Sequence, residues 1–424
     1  MQTLRWQHQV GNMNNLAQQL FEDKGGKNLH LEHIEDEILN YGITGGRASI
    51  NFIQSLRDML AGTSSGSVNM TVKWDGAPAI FAGIDPSDGQ FFVAKKSVFN
   101  VNPKLYKKES EIDVSGSLKE KFAIALKEFK KLGIKGVIQG DLMFTSGDLK
   151  KEKIDEQDFI SFQPNTIVYA APVGSELARQ FTQAKIGVVW HTTYSGENLA
   201  DMKASFGVDI KGLKRISSVW MDDATYKDVS GKAKFTKSET EKITSVLSEA
   251  GSIFRRINSS LLEKFIRLQN SFTGNLAGAS LKTFNNISVR QGQTVTNVRK
   301  HADGYLTHIE NHFKKLQDKV KTSGAKDKIE RNKKEYLREF KKHIRNIENV
   351  ISFQNALVNA KNIIVRKLNS VRQLANTFIR TDKGYKVTNP EGYVAIDKDG
   401  KAVKLVDRME FSFNNFTARK AWDK

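Results

Sequence analysis

The sequence predicts an α+β protein: a domain of antiparallel sheets that carries a large basic helical insertion and follows a helical N-terminal segment. Three observations predict it. Short apolar runs bounded by turn residues fill the stretch from Ser67 to about Tyr194. Apolar residues at helical spacing fill the stretch from about Ser238 to Arg380, and β texture returns after Asp382. Sheet texture that resumes after so long a helical stretch implies one domain cut in two. The boundaries read as 1–60 for the N-terminal segment, 61–234 for the first part of the sheet domain, 235–380 for the insertion and 381–424 for the second part.

The elements follow in order. Leu29–Leu39 repeats apolar residues at helical spacing and stops before Gly42; a second amphipathic helix runs from about Ala48 to Leu60, with Ile50, Phe52, Ile53, Leu56 and Leu60 on its buried side. His30 and His33, beside Glu32 and Glu35, have the spacing of a metal pair, but histidines beside an acidic turn ordinarily mark an exposed helix start. Ala79–Ile84 and Phe91–Lys95 read as strands joined by the turn Asp85-Pro86-Ser87-Asp88-Gly89. Leu118–Leu132 reads as a helix, and Val137-Ile138, Thr166–Ala170 and Ile186–Thr193 as short buried strands. In the insertion, residues 311–350 carry 13 Lys/Arg against 6 Asp/Glu, while Ile329, Tyr336, Leu337, Phe340, Ile344, Ile347 and Val350 keep a helical period. That combination predicts an amphipathic bundle with a basic surface, not a disordered tail. Gly392–Ile396 and Ala402–Val406 flank Asp397-Lys398-Asp399-Gly400, a hairpin signal. A two- or four-residue turn there sets Lys404 opposite Ala395 or Tyr393, hence on the sheet face of Glu391.

Composition narrows the function classes. The net charge of +19 over 424 residues points to a polyanionic partner, of which nucleic acid is the commonest. The absence of cysteine excludes disulfides, thiolate catalysis and Cys-ligated zinc. No run approaches the ~18 apolar residues of a membrane span, and Met1–Trp6 lacks an apolar signal region, so a soluble cytoplasmic protein with no membrane partner is expected.

The chemistry centres on Lys73-Trp74-Asp75-Gly76, which sets a lysine at the end of a β-prone run just before a tight turn. A lysine attacks a nucleotide's α-phosphate only when its amine is held, desolvated and partly deprotonated. Taken one at a time, the candidates have ordinary readings too. Lys73 reads as a surface lysine, Gly140-Asp141 as a strand end, Tyr169 as core, and Lys95-Lys96 as a solvated strand end. Glu391 and Lys404 read as a surface cross-strand pair, and His191 as a structural histidine before a general base.

Taken in order, Lys73-x-Asp75-Gly76, Val137–Leu142, Thr166–Ala170, Glu391–Val394 and Val403–Val406 resemble the motifs of the covalent nucleotidyltransferase superfamily. That superfamily holds the ATP-dependent DNA ligases, RNA ligases and capping guanylyltransferases; Glu391-Gly392-Tyr393-Val394-Ala395 is most similar to T4-type RNA ligases. The likeness covers five short segments of the β regions and leaves out the insertion and the first 60 residues. It implies an adenylation domain over 61–234 and 381–424, with ATP and Mg²⁺ as cofactors. By it, Lys73 attacks the α-phosphorus of ATP and holds AMP as a phosphoramidate. Asp75 and Gly76 form the nucleotide-binding turn, Gly76 letting backbone approach the nucleotide. Asp141 contacts ribose or metal, Tyr169 supplies an adenine platform, Lys96 helps place the nucleotide or acceptor end, Glu391 organises Mg²⁺, and Lys404 grips the α-phosphate.

The chain departs from the pattern in three places. Asp141 stands for a glutamate, Val406 stands where a second lysine is usual, and about 20 residues follow Lys404, too few for an OB domain. The last departure favours RNA over DNA and ATP over GTP. The implied function is an ATP-dependent polynucleotide ligase joining 5′-phosphate and 3′-hydroxyl ends. Its rivals are a non-catalytic nucleic-acid-binding or phage-assembly protein that keeps the fold, and a DNA ligase.

Overall fold

A computed structural model of the chain describes residues 32–63, 69–100, 102–226, 234–272, 274–370, 375–381, 384–396 and 402–412. His30 and the Asp397–Gly400 turn lie outside them. The architecture is α+β, of helices and mainly antiparallel sheet.

A 3₁₀ turn over Ile34–Asp36 leads into α1 (Glu37–Leu60), two helical segments that meet at a break at Gly42, where the sequence predicted the first helix to stop. Gly42 makes the kink at φ 65° and ψ −143°. Gly46 sits so close to a neighbouring helix that a Cβ there would lie 2.6 Å from a ring carbon of Phe254. Gly42 is thus the break that separates the two segments, and Gly46 is a packing contact in the second.

The β region opens with β1 (Asn69–Lys73), β2 (Ala79–Ile84), β3 (Phe91–Ala94), β4 (Leu105–Tyr106), α2 (Gly116–Phe129) and β5 (Val137–Thr145). It continues with β6 (Lys150–Ile154), β7 (Gln157–Phe162), β8 (Ile167–Pro172), α3 (Glu176–Gln183), β9 (Ile186–Ser195), β10 (Lys203–Phe206) and β11 (Val219–Asp222). The helical region holds α4 (Lys237–Phe254), α5 (Ser259–Asn270), α6 (Leu281–Arg290), α7 (Val298–Lys319), α8 (Ser323–Lys342) and α9 (Ile344–Asn369). Four strands follow among the described residues: β12 (Asn376–Thr381), β13 (Gly384–Val387), β14 (Gly392–Ile396) and β15 (Ala402–Leu405).

Three sheets result. The largest runs β10-β9-β5-β2-β3-β4 with β11 parallel to β9, the second β13-β12-β8-β7-β6, and the smallest β1-β14-β15. Strands on either side of the helical region pair directly, with Tyr169 opposite Thr377 and Lys73 opposite Gly392. The helical region thus lies in sequence between strands that pair with one another, and β12 (Asn376–Thr381) starts within residues 235–380. The N-terminal segment packs into the helical region. Ile38, Ile53 and Leu56 share one core with Ile243, Leu337, Phe340, Ile347 and Val350.

The small sheet divides its faces by period two. Tyr393, Ala395, Val403 and Leu405 join the helical core, while Thr71, Val394 and Lys404 form a row on the other face. A second core, of Trp74, Phe144, Phe162, Tyr169, Phe181, Trp220 and Val406, lies behind the Lys73 turn. Among the described residues, no helix is long and apolar enough to cross a membrane.

Candidate functional site

Lys73 is the last residue of β1 and lies opposite Gly392, two residues along from the Thr71–Val394–Lys404 row. Because faces alternate, Lys73 and Lys404 project from the same side of the sheet. The observed register puts Lys404 opposite Val394, not Tyr393 or Ala395. By alternation alone that slip would send Glu391 to the far face. It does not, because Glu391 precedes the strand and Gly392 turns the chain at φ 153°. A Cβ on Gly392 would lie 2.5 Å from the carbonyl oxygen of Leu405, so only glycine passes there.

The result is a lysine–carboxylate–lysine cluster. Lys73 Nζ donates to Glu391 Oε2, and Lys404 Nζ stands 4.0 Å from Glu391 Oε1. Glu391 is only 6 % exposed, while the lysine side chains are 29 % and 22 % exposed and so open to a ligand. Burial pulls the Lys73 amine down, but the carboxylates of Glu391 and Asp141 outweigh it and hold Lys73 above the usual lysine range. Lys404 is the opposite case: burial, then the charge of Lys73, depress it against the pull of Glu391. At rest, therefore, Lys73 is an ammonium paired with Glu391, not the partly deprotonated amine the sequence led one to expect.

Asp75 does not face the cluster's open side. Its carboxylate accepts from the backbone N–H groups of Thr166 and Ile167 at 2.7 and 2.9 Å and from Asn165 Nδ2 at 2.7 Å. Burial and the nearby Glu391 nevertheless push it up to about 6. The Asp75 backbone N–H donates to Tyr169 Oη at 2.7 Å. Tyr169 is 2 % exposed, 4.9 Å from Trp74 and 5.6 Å from Phe162 between ring centroids. Its ring offers no open face for a base; it buttresses the Lys73 turn from behind. Gly76 is also a packing residue, since a Cβ on it would lie 2.5 Å from Asp141 Cβ. What its backbone approaches is β5.

Asp141, on β5, flanks Lys73 and has a neighbour in His191 Nε2 at 3.7 Å. The β5–β9 register pairs Gln139 with Thr192 and Gly140 with Trp190, so His191 is the extra residue of a bulge that turns its ring towards Asp141. Lys96 is exposed at the start of a 3₁₀ turn, and no contact among the described residues joins it to the cluster. Val406, at the place of a second lysine, is fully buried in the core behind the turn.

The sequence reading missed a charged layer beneath Lys404. Lys361 Nζ donates to both Glu35 oxygens at 2.8 Å, with the two residues 0 % and 2 % exposed. Arg408 lies 3.6 Å from Glu35 and 3.4 Å from Asp36, and His33 bridges Lys404 through its backbone. A signal existed: Lys361 falls on the apolar stripe of Leu357, Ile364 and Val365, where a lysine needs a buried partner.

Among the described residues there is no group of three His, Asp or Glu of the kind that encloses a metal. Magnesium characteristically takes one or two protein carboxylates and completes its shell with water and phosphate oxygens. Glu391 and Asp141, the two carboxylates that act on Lys73, are donors of the chemical kind such an ion takes.

The fold and cluster define an α+β chain in which Lys73, Lys404 and Glu391 from distant segments meet at one face of the small sheet, with Asp141 of the large sheet beside them. The chain belongs to DUF6267, a family of unknown function whose model matches residues 28–420. No curated protein and no solved structure matches it.

Proposed function

We propose that this protein is an ATP-dependent polynucleotide ligase that works through a lysyl-AMP intermediate on Lys73, with RNA favoured over DNA. The observation that carries the reading is the meeting of Lys73, Glu391 and Lys404 beside Asp141, with Lys73 and Glu391 318 residues apart in the chain. The same four groups stand in the motif order that resembles the covalent nucleotidyltransferases.

In this reading the Lys73 ammonium passes a proton to solvent and Nζ attacks the α-phosphorus of ATP; the bond to pyrophosphate breaks, pyrophosphate leaves and AMP stays on nitrogen. AMP then passes to a 5′-phosphate, and a 3′-hydroxyl attacks that phosphate and expels AMP. Lys404 faces the charge that builds on the α-phosphate. Glu391 holds Lys73 in place, and with Asp141 would hold Mg²⁺, which would screen the triphosphate. Asp75, Gly76 and Tyr169 fix the turn that presents Lys73, in place of the direct nucleotide contacts first assigned to them.

Incubation with α-labelled ATP and Mg²⁺ tests the proposal. The wild type takes up label and Lys73→Ala does not; no label on either, or label on both, overturns it. One observation favours a second reading. Val406 is buried where a second lysine would serve, so a protein that keeps the site but only binds nucleic acid would leave Lys73 unlabelled while binding polynucleotides.

A further inference from the structure

Helix α8 presents two unlike faces. At about 100° per residue, Ile329, Tyr336, Leu337 and Phe340 fall on one side and pack into the helical core. Lys328, Arg331, Lys334, Arg338, Lys341 and Lys342 fall on the other, and all six are exposed. They cover 14 steps of the helix, about 21 Å of its axis. None of the six forms an ion pair among the described residues. The helix's own Glu330 and Glu339 are engaged elsewhere, by Lys333 at 2.5 Å and His343 at 3.7 Å. Asp327 and Glu335 lie within the stripe, leaving it net basic by four.

A row of unpaired cations on a rigid helix fits a polyanion. The stripe holds no apolar residue, and the apolar side of α8 is already buried, so the helix has nothing to insert into a bilayer. It also holds no aromatic side chain, and proteins that grip single strands stack bases on aromatics. What remains is contact with sugar–phosphate backbone whose bases are already paired. We propose that this face of α8 holds the backbone of a duplex without reading its sequence. Joined to the ligase reading, on which this part rests, it makes the substrate strand ends held within or on a duplex.

The test replaces Arg331, Lys334, Arg338 and Lys341 together by Gln, which removes four charges but keeps helix propensity. A control replaces Lys127, Lys130, Lys150 and Lys153, exposed on the sheet domain, in the same way. Affinity for a short blunt duplex, of RNA in one arm and DNA in the other, is followed from 50 to 200 mM salt. The α8 variant should lose affinity, and its log–log salt slope should shrink by about 3–4, while the control keeps the wild-type slope. The better-bound duplex names the source of the backbone. An unchanged slope in the α8 variant overturns the proposal, as does an equal fall in the control. So does single-stranded RNA bound as tightly as the duplexes, or binding to phosphatidylserine vesicles with neither duplex bound. Labelling by ATP is run on the same proteins. Absent label with the salt effect intact sinks the ligase reading alone, and normal label with an unchanged slope sinks the α8 surface alone.

Discussion

Glu37 opens α1 at 6 % exposure, and among the described residues only the Asn40 amide, at 3.4 Å, donates to it. Burial pushes its carboxyl up to about 7 from an unfolded value of 4.5. The folded state therefore holds the extra proton between those values, and the stability this gives is lost as pH rises through 7. Glu37→Gln, which keeps the shape and the Asn40 contact, should stabilise the protein by about 2–3 kcal/mol at pH 8 and have no effect below pH 4.5. Chemical denaturation of both proteins at the two pH values checks this; an equal difference at both would sink it. Glu35, two residues earlier, is held down to about 2: burial works against this, but Lys361 overcomes it. Adjacent acids in Glu35-Asp36-Glu37 thus take opposite protonation behaviour, which no reading of the triplet as letters could give, because it depends on a lysine 326 residues away. Lys73, Glu391 and Lys404 were legible as residue types in an order; that Lys73 rests as an ammonium was not, since it follows from how closely Glu391 approaches.

The β14–β15 hairpin shows what period-two reasoning gets right and where it stops. Both strands were legible from apolar runs around a turn signal, and so was the nearness of Glu391 to Lys404. The register was off by one, and Gly392 compensated by leaving the pleat. Gly392→Ala should therefore do two things together. It should cost about 2 kcal/mol or more in stability from the strained φ and the contact with Leu405, and it should abolish labelling of Lys73 by displacing Glu391. Urea unfolding and the ATP assay read the two effects; a stable variant that still labels would refute the role given to Gly392. Other strands were illegible for local reasons. β6 is Lys-Lys-Glu-Lys-Ile, too charged to announce a strand, and its turn to β7 places Asp155 and Glu156 at φ 45° and 66°, without the glycine or asparagine that marks such turns. In β12, the six residues Asn376–Thr381 hide at the end of a helical stretch, and only pairing with β8 reveals them as sheet.

At the scale of the molecule, the helical region is inserted in sequence but not detachable in space. Its core takes in Met70, Tyr393, Ala395, Val403 and Leu405 from the small sheet, and Lys361 from α9 anchors Glu35 beneath Lys404. A chain with residues 235–374 replaced by a short linker should fail to fold, with no cooperative thermal transition; a cooperative transition would show that the sheets stand alone. The charge pattern made the basic bundle legible, whereas its shared core was not, because the two apolar faces lie far apart in sequence. The pairing of β1 with β14 carries one more consequence, in time. At translation rates of about 5–20 residues per second, Lys73 is made roughly 16–60 s before Glu391. Through that interval β1 lacks its sheet neighbour and the lysine its carboxylate, so the cluster cannot form until the ribosome has passed Glu391. Any product released short of Glu391 leaves the ribosome without it.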